Sequence, residues 1–235
     1  MIPPTPHNGK LLAIFAKQPI AGTVKTRLAQ ATSDDWAQRV AQAFLGDSLD
    51  RFSRIDASRA IAFAPAGAAE NFATLAQGRY DLIPQSAGDL GQRLHTFFVQ
   101  ARQQGYLRIV ALGADSPTLP IAHVEQAFQL LDTSDVVIGP ALDGGYYLIG
   151  CGTRDVNLFT DIPWSTPSVL ATTVRRIEKV SARLALLPPW YDVDTADDWA
   201  MLRGYVLSMR QAGIDPGVPR VERLICDERQ QGDAK

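Results

Sequence analysis

The run Ile109-Val-Ala-Leu112 constrains this chain most: it is apolar throughout and short, as a strand buried on both faces must be. Gly113 ends the run, Asp115 follows, and Pro117 has no N–H to donate and biases Ser116 toward extended geometry, so the chain has to leave the sheet here. Asp115 is thereby predicted at the carboxyl end of a central strand, where open α/β sheets place their ligands. Two readings stand for it: a cap on the following helix, or a carboxylate holding a divalent metal against a phosphate.

The rest of the chain repeats this alternation. Strands are predicted over 11–16, 59–64, 80–84, 108–112, 136–139, 146–150 and 183–187. Between them, helical spacing predicts helices over 33–55, 67–76, 89–104, 121–131, 165–180 and 196–211. Strands alternating with helices specify a three-layer α/β/α sandwich around a mostly parallel sheet. No long linker divides the chain, so a single domain is expected over 11–212. An extended or disordered stretch is expected over 1–10, and a C-terminal tail over 213–235 with one short helix over 218–227 before a frayed end.

Composition narrows the partners. With 46% hydrophobic and 20% charged residues and a net charge of −2, nothing suggests a nucleic-acid or membrane partner. Cys151 and Cys226 lack disulfide or zinc spacing, which suits a reducing cytoplasm. The N-terminus has no signal-peptide core, and no apolar run approaches the roughly 20 residues that span a bilayer. A cytoplasmic protein is expected.

Four segments carry the candidate chemistry. The loop after the first strand gathers Lys17, Lys25 and Arg27 around Gly22, which reads either as a solvated basic loop or as a phosphate cradle; its spacing is not that of a Walker A motif. After the third strand, Gly88 and Gly91 could let the backbone approach a flat base, with the Gln85 amide reading its edge, while Asp89 reads as a helix cap. Asp143-Gly-Gly-Tyr146 is either an Asp-Gly turn or an acceptor-binding segment in which Asp143 acts as a base, Gly144 and Gly145 leave room, and Tyr146 and Trp164 stack on a polar ring. In Tyr191-Asp-Val-Asp-Thr-Ala-Asp-Asp198, Thr195 suits a cap and Asp197 and Asp198 the first helical turn. Asp192 and Asp194 are left over, facing one way from an extended segment, and offer a second metal carboxylate.

Phe15-Ala-Lys-x-Pro-x-x-Gly-x-x-Lys-Thr-Arg-Leu28, Gly113-x-Asp-Ser-Pro117, Gly139-Pro-x-x-Asp-Gly-Gly-Tyr-Tyr-Leu-Ile-Gly150 and Asp192-Val-Asp-Thr-x-x-Asp198 occur in that order over residues 11–200. Together they resemble a little-characterised bacterial family (DUF2064-like) of GT-A-type glycosyltransferases or nucleotide-diphospho-sugar transferases. A wider similarity links it to phospholactate and molybdenum-cofactor guanylyltransferases. The resemblance implies a GT-A, Rossmann-like nucleotide-binding fold and a Mg2+ or Mn2+ held by Asp115 and Asp194. It also implies donor phosphates on Arg27 and on Lys25 or Lys17. With the residue readings above, the expected phosphate and nucleotide set is Lys17, Gly22, Lys25, Arg27, Gln85 and Gly91, and the expected catalytic set Lys25, Arg27 and Asp143. The first loop departs from the guanylyltransferase pattern, with Lys17-x-Pro and Lys25-Thr-Arg27 replacing a glycine-rich stretch with a later lysine. Three functions follow: glycosyl transfer from a nucleotide-sugar to a small acceptor, nucleotidyl transfer from a nucleoside triphosphate to a phosphorylated small molecule, or nucleotide binding without catalysis.

Overall fold

The computed structural model describes residues 8–232. The stretch before Asn8, with His7, and residues 233–235 lie outside them. Seven strands form one sheet: β1 (Lys10–Lys17), β2 (Ser58–Ala64), β3 (Asp81–Pro84), β4 (Arg108–Gly113), β5 (Val136–Pro140), β6 (Tyr146–Cys151) and β7 (Leu184–Leu186). Their order is β3-β2-β1-β4-β6-β5-β7, and β6 alone runs against the others.

Period-two alternation divides the central strands between two cores. Leu12, Ile14, Ile61, Phe63, Val110 and Leu112 point to one face, while Leu11, Ala13, Ala60, Ala62, Ile109 and Ala111 point to the other. The first face is covered by α2 (Asp34–Phe52), α3 (Ala69–Ala76) and α5 (Ile121–Leu130), the second by α4 (Leu90–Gln103) and α6 (Val169–Lys179). This is the predicted three-layer α/β/α arrangement.

Cap chemistry sets the helix starts. Ser33 accepts from the Trp36 N–H, and Asp89 with Gln92 and Thr195 with Asp198 form reciprocal capping boxes on α4 and on α7 (Ala196–Gln211). Two differences from the sequence reading have local causes. α6 starts four residues later than expected, because Ser165 adopts a left-handed φ of 63° and Pro167 follows. A short helix, α1 (Thr26–Ala31), was not predicted: its N-cap, Lys25, makes no side-chain capping bond, so no cap signal marks it.

The C-terminal helix α8 (Pro219–Gly232) runs past the predicted end at Asp227 and is built into the fold. Val218, Val221, Leu224 and Ile225 pack with Leu28, Val40, Phe44, Trp199 and Leu202 in a third core. Each such side chain contributes about 1.5–3 kcal/mol on burial. The buried Asp47 carboxylate of α2 accepts from the Arg220 and Val221 N–H groups and from the Arg220 guanidinium. Gly46 leaves the space that guanidinium fills; a Cβ there would lie 2.6 Å from Arg220 Nε.

Candidate active site

The strand order brings the candidate segments to one edge. β1 lies beside β4 with Phe15 opposite Gly113, so the loop after β1 and Asp115 leave the sheet together. Because β6 is antiparallel to β4, its first residues return to the same edge, bringing the 143–145 turn with them. The 191–195 segment is pinned there by a hydrogen bond from the Val193 N–H to the Asp115 carbonyl, 3.0 Å. This is the switch point between β1 and β4, where chain connections diverge and leave a crevice.

Lys25 sits at the centre. Its backbone is left-handed (φ 45°, ψ 46°), costly for a side-chain-bearing residue, and its side chain is only 3% exposed. The ammonium donates to Asp115 Oδ1 at 2.5 Å and to the Val193 carbonyl at 2.7 Å, and lies 3.6 Å from Asp194 Oδ1. It also stands 4.7 Å from the centre of the Phe44 ring, a favourable cation–π distance. The sum of its distances to the two carboxylates bounds the separation of those oxygens, so Asp115 and Asp194 converge although 79 positions apart. Asp115 caps no helix: α5 begins after Pro120 without a side-chain cap.

Arg27 donates to Asp194 Oδ2 at 2.6 Å and keeps its side chain 62% exposed, so part of its donor fork faces solvent. The loop between braces itself. Lys17 Nζ donates to the Thr23 carbonyl at 2.7 Å, and Thr23 turns back onto the Ile20 carbonyl through both its N–H and its hydroxyl. Gly22, at φ 74°, makes that reversal possible.

Asp192 is mostly buried, and one of its oxygens accepts from the Ser116 hydroxyl. Burial pushes its carboxyl up to about 7, opposed by the Ser116 bond and reinforced by the charges of Asp115, Asp143 and Asp194. Burial likewise raises Asp194, helped by Asp115, while Lys25 and Arg27 pull it down. Four acids thus share one edge with one buried ammonium among them.

Asp192 gives a pH test. Its folded value lies above that of an unfolded aspartate, so between about pH 4 and 7 the native state holds a proton that the unfolded chain has lost, and the group's contribution to stability falls as pH rises through that window. An asparagine at this position would keep an oxygen for Ser116 without the charge. In metal-free buffer, Asp192→Asn is expected to match the wild-type melting temperature near pH 4 and to exceed it increasingly up to pH 8. A difference independent of pH would remove the buried-acid reading.

Two adjoining hollows open on this edge. One, of about 240 Å³, is lined by Lys17, Thr23, Lys25, Asp115 and Asp194. The other, of about 310 Å³, is lined by Phe15, Lys17, Gln85, Leu90, Asp115 and Tyr146. Together they have the size of a small-molecule site. Gln85 faces the wider hollow, but its amide is engaged in the sheet: Nε2 donates to the Ala62 carbonyl at 2.7 Å, and Oε1 accepts from Arg93. Gly91 is buried away from the opening, where a Cβ would meet the Phe159 carbonyl at 2.4 Å and the Trp164 indole at 2.8 Å. Trp164 stands edge-on to Tyr146, ring centres 6.2 Å apart. Gly144 (φ 89°) leaves no room for a side chain against the Pro167 backbone, and Asp143 Oδ1 accepts from the Gly145 N–H at 2.8 Å.

Asp115 and Asp194 are the two carboxylates this edge offers to a cation. Asp115 Oδ2 has no donor among the described residues, and its side chain is 53% exposed. Mg2+ takes one or two carboxylates when phosphates and water fill its remaining positions. Among the described residues, no group of three or more His, Cys, Asp or Glu side chains is placed to hold a metal ion.

Comparison with known proteins agrees with the sequence resemblance. Residues 48–166 match a family described as an uncharacterised protein conserved in bacteria (DUF2064). A crystal structure from Desulfovibrio desulfuricans G20, provisionally assigned as a nucleotide-diphospho-sugar transferase, is 31% identical, with a TM-score of 0.84 over 94% of this chain and 97% of that one. The chain belongs to this bacterial family. The family match holds Asp115, Asp143 and Trp164, whereas the Lys25 loop and Asp194 fall outside it.

Two more distant structures share the fold. A cytidylyltransferase from Leptospira borgpetersenii is 13% identical, with a TM-score of 0.55 over 94% of this chain and 95% of its own. The inositol-1-phosphate CTP transferase of T. maritima is 12% identical, with a TM-score of 0.54 over 87% and 97%. No curated protein matches the sequence. No helix among the described residues is long and apolar enough to cross a membrane.

Proposed function

We propose that this protein is a metal-dependent transferase of the cytoplasm that moves a glycosyl group from a nucleotide-sugar to a small acceptor. The observation that carries this choice is the engagement of the Lys25 ammonium by Asp115, Asp194 and the Val193 carbonyl. A basic first loop would favour a triphosphate donor, since its reacting centre needs cations where charge develops. With Lys25 turned inward onto the acids, the balance at this edge is acidic, which suits a metal neutralising the donor's diphosphate. The solved relative's provisional assignment as a nucleotide-diphospho-sugar transferase points the same way. The cytidylyltransferase-like folds keep nucleotidyl transfer as the second reading.

In this scheme Asp115 and Asp194 hold Mg2+ or Mn2+, which supplies charge neutralisation at the diphosphate. Lys25 keeps the two carboxylates together. Arg27 and Lys17 orient the phosphates, and Asp143 takes the proton of the acceptor hydroxyl. As that oxygen bonds to the anomeric carbon, the bond from this carbon to the diphosphate breaks and the nucleoside diphosphate leaves.

The test is a thermal-shift and turnover screen of nucleotide-sugars against nucleoside triphosphates, each with Mg2+, Mn2+ or EDTA. Glycosyl transfer releases a nucleoside diphosphate, whereas nucleotidyl transfer releases pyrophosphate, so the product decides between them. Stabilisation by neither donor class would overturn both. Arg27→Ala is expected to weaken binding of the stabilising donor by about tenfold, the loss of one charge-assisted contact. Its melting temperature should stay near wild type, because so exposed an ion pair contributes about 0–1 kcal/mol. Calorimetry showing unchanged donor affinity would remove Arg27 from the phosphate site.

A further inference from the structure

A second cavity, of about 580 Å³, lies between α2, α3 and α8, beside the loop that follows β1. It shares only Pro19 with the hollow around Lys25 and no lining residue with the wider one. Its floor is apolar, formed by Phe72, Leu224, Ala43 and Leu75. Its walls are not. Three arginines line it against a single carboxylate, Asp227.

Two of those arginines are committed. Arg39 pairs with Asp227 at 2.6 Å, and Arg220 with Asp47 and Asp50. Arg223, exposed on α8, has no hydrogen-bond or ion-pair partner among the described residues. Nor do the side-chain amides of Gln18, Gln42 and Asn71, which line the same cavity from β1's exit loop, α2 and α3. One guanidinium and three amides without partners among the described residues, carried on four separate segments, therefore line one amphipathic hollow. Guanidinium groups pair with phosphate or carboxylate oxygens in a two-pronged geometry, and amides both donate to and accept from hydroxyls. The apolar floor accommodates the C–H face of a small ring or chain.

We infer that this cavity is a second ligand site, which takes a polyhydroxylated anion of about hexose size, its phosphate or carboxylate on Arg223 and its hydroxyls on Gln18, Gln42 and Asn71. The inference stands independently of the reaction at the acidic edge, because none of the residues given a role there lines this cavity.

Calorimetry on the full chain with glucose 6-phosphate, gluconate and glucose tests it. Saturable binding of glucose 6-phosphate or gluconate is expected, and which of the two binds more tightly identifies the anionic group. Arg223→Ala and the occluding variant Thr74→Trp should each weaken it at least about tenfold. Arg27→Ala should leave it unchanged. Both Arg223 and Thr74 lie on exposed helix faces, so circular dichroism and melting should show native folds. The proposal is overturned if neither anion binds at millimolar concentration, if glucose binds as tightly as the anions, or if Arg223→Ala has no effect. Loss of binding in Arg27→Ala would place the ligand at the acidic edge and overturn it as well.

Discussion

Lys25→Met is expected to lower the stability of the protein by about 3 kcal/mol, the lower end of the range for removing one partner from a buried ion pair. The lower end applies because Asp115 is 53% exposed and Asp194 31%, so water takes up part of the lost charge. For a chain of this size that is roughly 6–12 °C in melting temperature. Methionine keeps the length of the side chain and packs well against an aromatic ring, so the place over Phe44 stays filled. What goes is the charge between Asp115 and Asp194, and with it the donor to the Val193 carbonyl. Mg2+ should then restore more stability to the variant than it adds to wild type, because it replaces the missing cation. Melting in EDTA and in Mg2+ measures both effects. A melting temperature within a degree or two of wild type, with donor affinity reduced, would instead make Lys25 a phosphate ligand.

The expense of holding Lys25 in left-handed geometry makes sense in this light. The turn aims the side chain back into the molecule, where two motifs far apart in sequence meet it. No local pattern announces this. A lysine after Gly22-Thr-Val reads as a loop cation, and only the β1–β4 adjacency reveals the acids it faces. The same holds for Asp192: its position two residues before Asp194 was legible, but Ser116 as its partner was not, because that contact spans 76 positions.

The strands, by contrast, were legible almost to the residue. Their apolar runs are flanked by glycine, proline and polar turns, and burial of the central strands on both faces leaves little ambiguity of period. The direction of β6 was not written in its composition. It follows from the short Asp143-Gly-Gly145 reversal after β5, which forces an antiparallel return. The buried carboxylate of Asp47 escaped notice for another reason. On a long helix it reads as an exposed charge until α8 folds back over it.

Asp143→Asn is expected to reduce turnover by about 10²-fold or more, the usual scale for losing a group that moves a proton. Fold and donor binding should survive. The residue holds its turn through Oδ1, which accepts from the Gly145 N–H at 2.8 Å, and an asparagine oxygen can accept the same bond. Gly144 and its close packing against Pro167 are untouched. Asp143 is exposed at the turn, so its other carboxylate oxygen is open to a ligand. The substitution therefore separates two roles that coincide in one side chain. If Asp143 serves only the turn, the substituted asparagine performs that service and activity is retained in full. If it takes the acceptor's proton, turnover collapses while the melting temperature and the donor's dissociation constant stay at wild-type values. A fall in donor affinity matching the fall in turnover would point to neither, placing Asp143 on the donor side of the cleft.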